Sequence, residues 1–137
     1  MGGWLAVQEA DASALACYPS HPAWDQLKTI LIAAFERVGG DCFAGRQVHR
    51  LLVEAGLEDV GFRPCVIGMR HGDPLADFLP QTVLSTKLAI LKHGLATEEE
   101  LDRLIAECSV HLARATTAQT SVLVLQACGR KPPRLIS

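Results

Sequence analysis

The residues able to do chemistry in this chain are few and dispersed. Glu9 and Asp11 close a short apolar stretch, Trp4 to Ala10. If that stretch is a parallel strand, both carboxylates stand where open α/β sheets hold their ligands. Tyr18, His21 and Trp24 follow within one loop and the start of the next segment, and together they can line a substrate pocket. Imidazole takes and gives protons near neutral pH, which makes His21 a candidate general base for deprotonating a hydroxyl. Each residue also has a plainer reading: a solvated loop carboxylate for Glu9 and Asp11, a helix cap for His21, core packing for Trp24.

The remaining reactive residues point to less. His49, His71, His93 and His111 share no spacing that makes a metal site, and surface or helix-end roles account for them. The five cysteines, Cys17, Cys42, Cys65, Cys108 and Cys128, are odd in number and widely spaced, without a C-x-x-C. They read as small buried apolar residues. Arg46 and Arg50, one helical turn apart, can hold an anion, though an exposed helix face explains them equally. No Ser-His-Asp or Cys-His arrangement is visible.

The elements that must position these groups fit one domain over 1–137. Apolar residues make up 49% of the chain, and a net charge of −2 with interspersed signs gives no footprint for nucleic acid or an acidic membrane. No apolar run reaches the ~20 residues that span a bilayer, and the start lacks the basic and long apolar segments of a secretory signal. A cytoplasmic location follows as the expectation.

Trp4 to Ala10 reads as a strand. A helix then opens with Ser20 or His21 as cap and Pro22 in its first turn, buries Trp24, Leu27, Leu31, Ala34, Phe35 and Val38, and stops at Gly39-Gly40. A shorter helix covers 44–55, with Val48, Leu51, Leu52 and Ala55 inward and Gly56 as its stop. Residues 60–69 form one extended segment, which Pro64 assigns to a sheet edge or a bulge. Asp73 and Pro74 open a helix that Pro80 kinks or divides before Gly94. Thr97 to Glu100 is a capping box for a helix ending near Arg114. Ser121 to Cys128, apolar on both alternating faces, reads as a central strand covered above and below. The tail from Gly129 onward cannot continue a sheet on this reading and is solvated. The last strand inserts between the other two, antiparallel to 60–69. The fold class is α/β, a three-stranded mixed sheet of order 1-3-2 with the last strand central, plus a helical cap over 73–115.

The chain resembles the C-terminal half of a class I S-adenosylmethionine-dependent methyltransferase of the small-molecule type that includes the ubiquinone and menaquinone methyltransferases. Gly2 to Asp11 looks like that family's turn after Pro-Gly-Gly and its fifth strand, with Met1 where the proline usually stands. Gly40-Asp41 and Gly45, then Leu51 to Val60 with Ala55-Gly56-Leu57 at its centre, look like the helix end that enters the sixth strand. Val122 to Lys131 looks like the seventh strand, antiparallel and lying between the fifth and sixth in that Rossmann-like fold. The helices over 73–115 exceed the minimal fold and, as in relatives, would cover the substrate site.

The resemblance implies S-adenosylmethionine as cofactor, yet the parts that hold it are missing. There is no Gly-rich loop after a first strand, no acidic residue for the ribose hydroxyls after a second, and no G-x-G-x-x-G. The expectation is a substrate-side half, with no cofactor-binding residues, that cannot bind the methyl donor alone. His21 is its candidate catalytic residue, and Glu9, Asp11, Tyr18 and Trp24 its candidate substrate contacts. A tight turn at Gly2-Gly3 with no element before it suggests truncation. The alternative is a non-catalytic methyltransferase-like module. Its expected partners are a second copy, through the exposed N-terminal strand or swapped helices, or a cofactor-binding half, with neither nucleic acid nor membrane.

Overall fold

A computed structural model describes residues 2–133. In chain order it contains β1 (Trp4–Asp11), β2 (Ala16–Tyr18), α1 (Pro22–Arg37), α2 (Val48–Glu54), β3 (Glu58–Cys65), β4 (Gly68–Arg70), α3 (Phe78–Ser85), α4 (Lys87–Lys92), α5 (Glu98–Leu112), β5 (Ala118–Thr120) and β6 (Leu123–Arg130), with single 3-10 turns at Ala12–Ala14 and Ala44–Gln47. Two compact units divide these elements: one holds the chain up to Ala14, Phe43–Val66 and the stretch from Val122, the other Leu15–Cys42 and Ile67–Ser121.

The first unit is a three-stranded sheet in which β6 lies between β1 and β3 and runs antiparallel to both. The fold is therefore α/β, but the expectation of a mixed sheet is corrected, since no two neighbouring strands are parallel. The sheet is covered on one face. Leu125 and Ala127 of β6 pack with Val48 and Leu52 of α2, and Val7, Leu57, Val60 and Leu123 border them. Along β6 the alternate residues Gln126 and Cys128 are exposed, so the cover above and below that its apolar composition predicted is not found within its unit. The strand runs past Cys128, where its apolar pattern ended it: Gly129 and Arg130 remain in the ladder, and the Lys131 N–H donates to the Gly3 carbonyl at 2.8 Å. Gly129 and Arg130 are therefore not part of the solvated tail expected from Gly129 onward; residues 134–137 of that expectation, and Met1, lie outside the described residues.

Two other expectations for this unit change. The helix over 44–55 is a 3-10 turn followed by the seven residues of α2, with Leu51 and Ala55 facing out. The segment 60–69 is two strands in two sheets. β3 begins at a bulge between Glu58 and Gly61, where Asp59 takes a φ of 53° and Arg130 pairs with both Glu58 and Asp59 at 3.1 Å.

The second unit adds a sheet absent from the sequence reading, order β2-β5-β4, built from three-residue strands. Ser121 belongs to its end, donating to the Ile67 carbonyl, and not to β6. The core here is helical: Trp24, Leu27, Leu31 and Ala34 of α1 meet Leu79 and Val83 of α3, Ile90 of α4, and Leu101, Leu104 and Cys108 of α5. The expected cap helices are thus packed against α1, and Phe35 and Val38, predicted inward, are exposed. Pro80 neither kinks nor divides its helix, because it falls in the first turn of α3, where the missing N–H has no intrahelical acceptor. The break comes at Thr86, whose hydroxyl bonds back to the Thr82 and Val83 carbonyls. Asp73 caps no helix; its carboxylate accepts from the Arg70 N–H at 2.7 Å in a turn closed by Gly72. Thr97 does cap α5, accepting from the Glu100 N–H at 3.1 Å.

Gly45 is required by closeness. A Cβ there would stand 2.9 Å from the Ala10 and Glu9 backbone atoms, so the turn before α2 lies directly on β1. Gly45→Ala is expected to cost about 1–3 kcal/mol of stability by forcing backbone apart. A urea unfolding midpoint equal to that of the unsubstituted chain would disprove this close approach.

Candidate functional site

Asp11 ends β1 with a residue exposure of 1%. Arg46, thirty-five positions on, reaches it from the turn before α2: Nε donates to Oδ2 at 2.6 Å and Nη2 to Oδ1 at 3.1 Å, while the Ser13 N–H also donates to Oδ1 at 2.9 Å. The guanidinium rests on the Phe43 ring at 4.9 Å and stays half exposed. Its hydrogen bond holds the Asp11 carboxyl down at a pKa of about 2, outweighing the burial that pushes the other way. Asp11 is therefore a clamped structural ion, with both oxygens engaged. Glu9 is exposed, and its Oε1 accepts from the Ala10 N–H at 3.0 Å.

The other three candidates lie in the second unit. Tyr18, at the end of β2, is 60% exposed. Trp24 is buried, and its indole N–H donates to Gln119 Oε1 at 3.0 Å; Gln119 Nε2 in turn donates to the Ala76 carbonyl at 2.8 Å. Trp24 is thus a core residue, tied by a buried amide that the sequence reading did not single out. Only the position of Gln119 inside a polar-looking three-residue strand hinted at it.

His21 caps α1 through Nδ1, which accepts from the Ala23 N–H at 3.2 Å. That bond uses the Nδ1 lone pair and leaves the neutral ring's proton on Nε2, so in this arrangement His21 is a donor. Acting as a base through Nε2 requires it to release the cap. The His21 ring stacks on His111 with centroids 4.7 Å apart. His111, predicted as a surface or helix-end residue, sits in the last turn of α5 but is buried; its Nε2 donates to the Pro19 carbonyl at 2.9 Å, and its Nδ1 is buried without a hydrogen-bond partner. His21, Ala106, Glu107, Val110, His111 and Arg114 bound a shallow cleft of about 350 Å³.

The thiols divide: Cys17 and Cys108 are buried, Cys42 is intermediate, and Cys65 and Cys128 are exposed, which corrects the expectation that all five are buried. Burial pushes the Cys108 thiol up to about 12 and raises Cys17 and Cys42, so these three are not thiolates at neutral pH. Arg50 is held by Gln47 and Glu54 along α2. Among the described residues no three His, Cys, Asp or Glu side chains gather as a metal site, and no helix is long and apolar enough to cross a membrane.

The Asp11 clamp has a pH signature. A carboxyl whose folded pKa lies below its unfolded value stabilises the fold above the unfolded pKa and loses that contribution as pH falls through the folded one. Between pH ~4 and ~2 the native chain is expected to lose about 2 kcal/mol more unfolding free energy than Asp11→Asn. Parallel stability curves for the two proteins in that window would refute the clamp. No model of a known protein family matches the chain, and no curated protein matches it.

Proposed function

We propose that this chain is the substrate-side half of an S-adenosylmethionine-dependent small-molecule methyltransferase, unable to hold the methyl donor by itself. The observation that carries the reading is the topology of the first unit: β6 is antiparallel between β1 and β3, which point the same way, and the three segments that resemble the family fall on these strands in the family's order. Ala55-Gly56-Leu57 ends α2 with Gly56 at a φ of 77°, which supports the match at the helix end.

The residues present do not fit the methyl donor. The buried carboxylate that ends β1 is turned to its own chain, both Asp11 oxygens being engaged by Arg46 and Ser13 and so not offered to a ribose diol. The glycines at positive φ, Gly39, Gly56, Gly72 and Gly94, close turns or helix ends, with no G-x-G-x-x-G among them. Of the candidate residues, Glu9, Tyr18 and His21 with its cleft stay open to an acceptor, with His21 donating a hydrogen bond through Nε2. The outer edge of β1 is where a donor-binding half, in the same polypeptide or a partner, would add its strand.

A non-catalytic module that recruits other chains is the second reading, favoured by the openness of that same edge. Calorimetric titration of the purified chain with S-adenosylmethionine tests the first: no saturable heat is expected, and saturable micromolar binding would overturn the half-site account.

A further inference from the structure

Among the described residues β1 pairs with β6 alone. The Lys131 N–H bonds the Gly3 carbonyl, so Gly3 and Lys131 form a hydrogen-bonded pair. Antiparallel alternation then turns the N–H and C=O of Leu5, Val7 and Glu9 toward β6, and those of Trp4, Ala6, Gln8 and Ala10 away from it. The Ala10 N–H is taken by the Glu9 carboxylate. Trp4, Ala6 and Gln8 keep an unpaired backbone edge.

The opposite edge of the sheet is protected. The same alternation turns Pro64 of β3 outward, where its missing N–H removes a donor, and the Asp59 bulge bends the strand's start. β1 has no proline, no lysine and no bulge, while Trp4 is 65% and Leu5 48% exposed. One edge is guarded by Pro64 and the bulge, the other only at Ala10.

We propose that a second copy of this chain occupies the β1 edge, the two strands pairing antiparallel about a twofold axis through Ala6. This register sets Trp4 against Gln8 of the other copy, and Ala6 against Ala6, closing the three open residues of each strand and no others. It sets Glu9 against Gly3, so no like charges meet. On the covered face it brings Leu5 beside Val7 of the second copy, extending across the axis the apolar cluster that Val7 borders. Shifting the axis by one residue to Val7 sets Leu5 against Glu9 and requires the Ala10 N–H, which is already bonded. The product is a continuous six-stranded sheet with guarded β3 strands at both ends.

This inference rests on the strand edge and not on the methyltransferase reading; a donor-binding half would compete for the same edge, so the dimer also marks a state closed to it. The test is sedimentation equilibrium on the full chain over a wide dilution series. The native chain is expected at twice its 14.8 kDa mass at high concentration. Ala6 is exposed, so Ala6→Lys leaves the fold intact by circular dichroism, sets two ammonium groups across the axis and gives a monomer. Mixing Ala6→Lys with Ala6→Glu restores a dimer, because residue 6 faces residue 6. A native chain that stays monomeric, an Ala6→Lys chain as dimeric as the native one, or an opposite-charge mixture that stays monomeric would overturn the proposal. None of these outcomes bears on S-adenosylmethionine binding, so the two readings fail separately.

Discussion

The ladder of β6 is the constraint on which the first unit depends. Among the described residues it is the backbone pairing that joins segments of this unit separated by more than fifty residues, since β1 and β3 are not hydrogen-bonded neighbours but each pair along β6. That single strand also sets the face of every side chain in the sheet. Its register turns Leu125, Ala127 and Val7 toward α2 and leaves Gln126 and Cys128 exposed. One-sided cover and one open edge are therefore two consequences of the same pairing. A short helix closes a small core, and Gly45 lets the preceding turn sit against the β1 backbone while Arg46 locks Asp11 at the strand's end.

Legibility in the sequence followed the range of the interaction. The start of α1 at His21-Pro22, its stop at Gly39 and the Thr97 cap of α5 were readable because each rests on contacts within four residues. The edge character of β3 was readable because Pro64 lacks a donor wherever the strand goes. What escaped was non-local. Three-residue strands carry too little pattern to announce a second sheet, and β2, β4 and β5 exist only because they pair with one another. The Trp24–Gln119 bond spans ninety-five positions and the Asp11–Arg46 pair thirty-five. Pro80 misled because a proline's effect depends on where the helix starts, and α3 starts later than Asp73 suggested.

The candidate site was legible in residue type more than in role. Of the five residues put forward, Trp24 serves the core, Asp11 is buried in an ion pair with the half-exposed Arg46, and His21 is a helix cap, while Glu9 and Tyr18 are exposed. The capping bond is informative chemistry, since it fixes which His21 nitrogen carries the proton. His111 had no sequence signal beyond its place on the inner stripe of α5, one turn after Cys108; spacing alone could not show that it would be buried against Pro19 and His21. Side chains occupied in this way leave backbone, the outer rim of β1, as an uncommitted hydrogen-bonding surface of the first unit. Both proposals meet there, as the place where a donor-binding half or a second copy would join.

Residue-resolved amide hydrogen exchange in dilute solution tests this account most directly. If β1 is held by β6 on one side and open on the other, the amides of Leu5, Val7 and Glu9 exchange slowly and those of Trp4, Ala6 and Gln8 fast, alternating along the strand. Uniformly fast exchange would mean that β6 does not hold β1, and uniformly slow exchange in the monomer would mean that the edge is already covered; either contradicts the account.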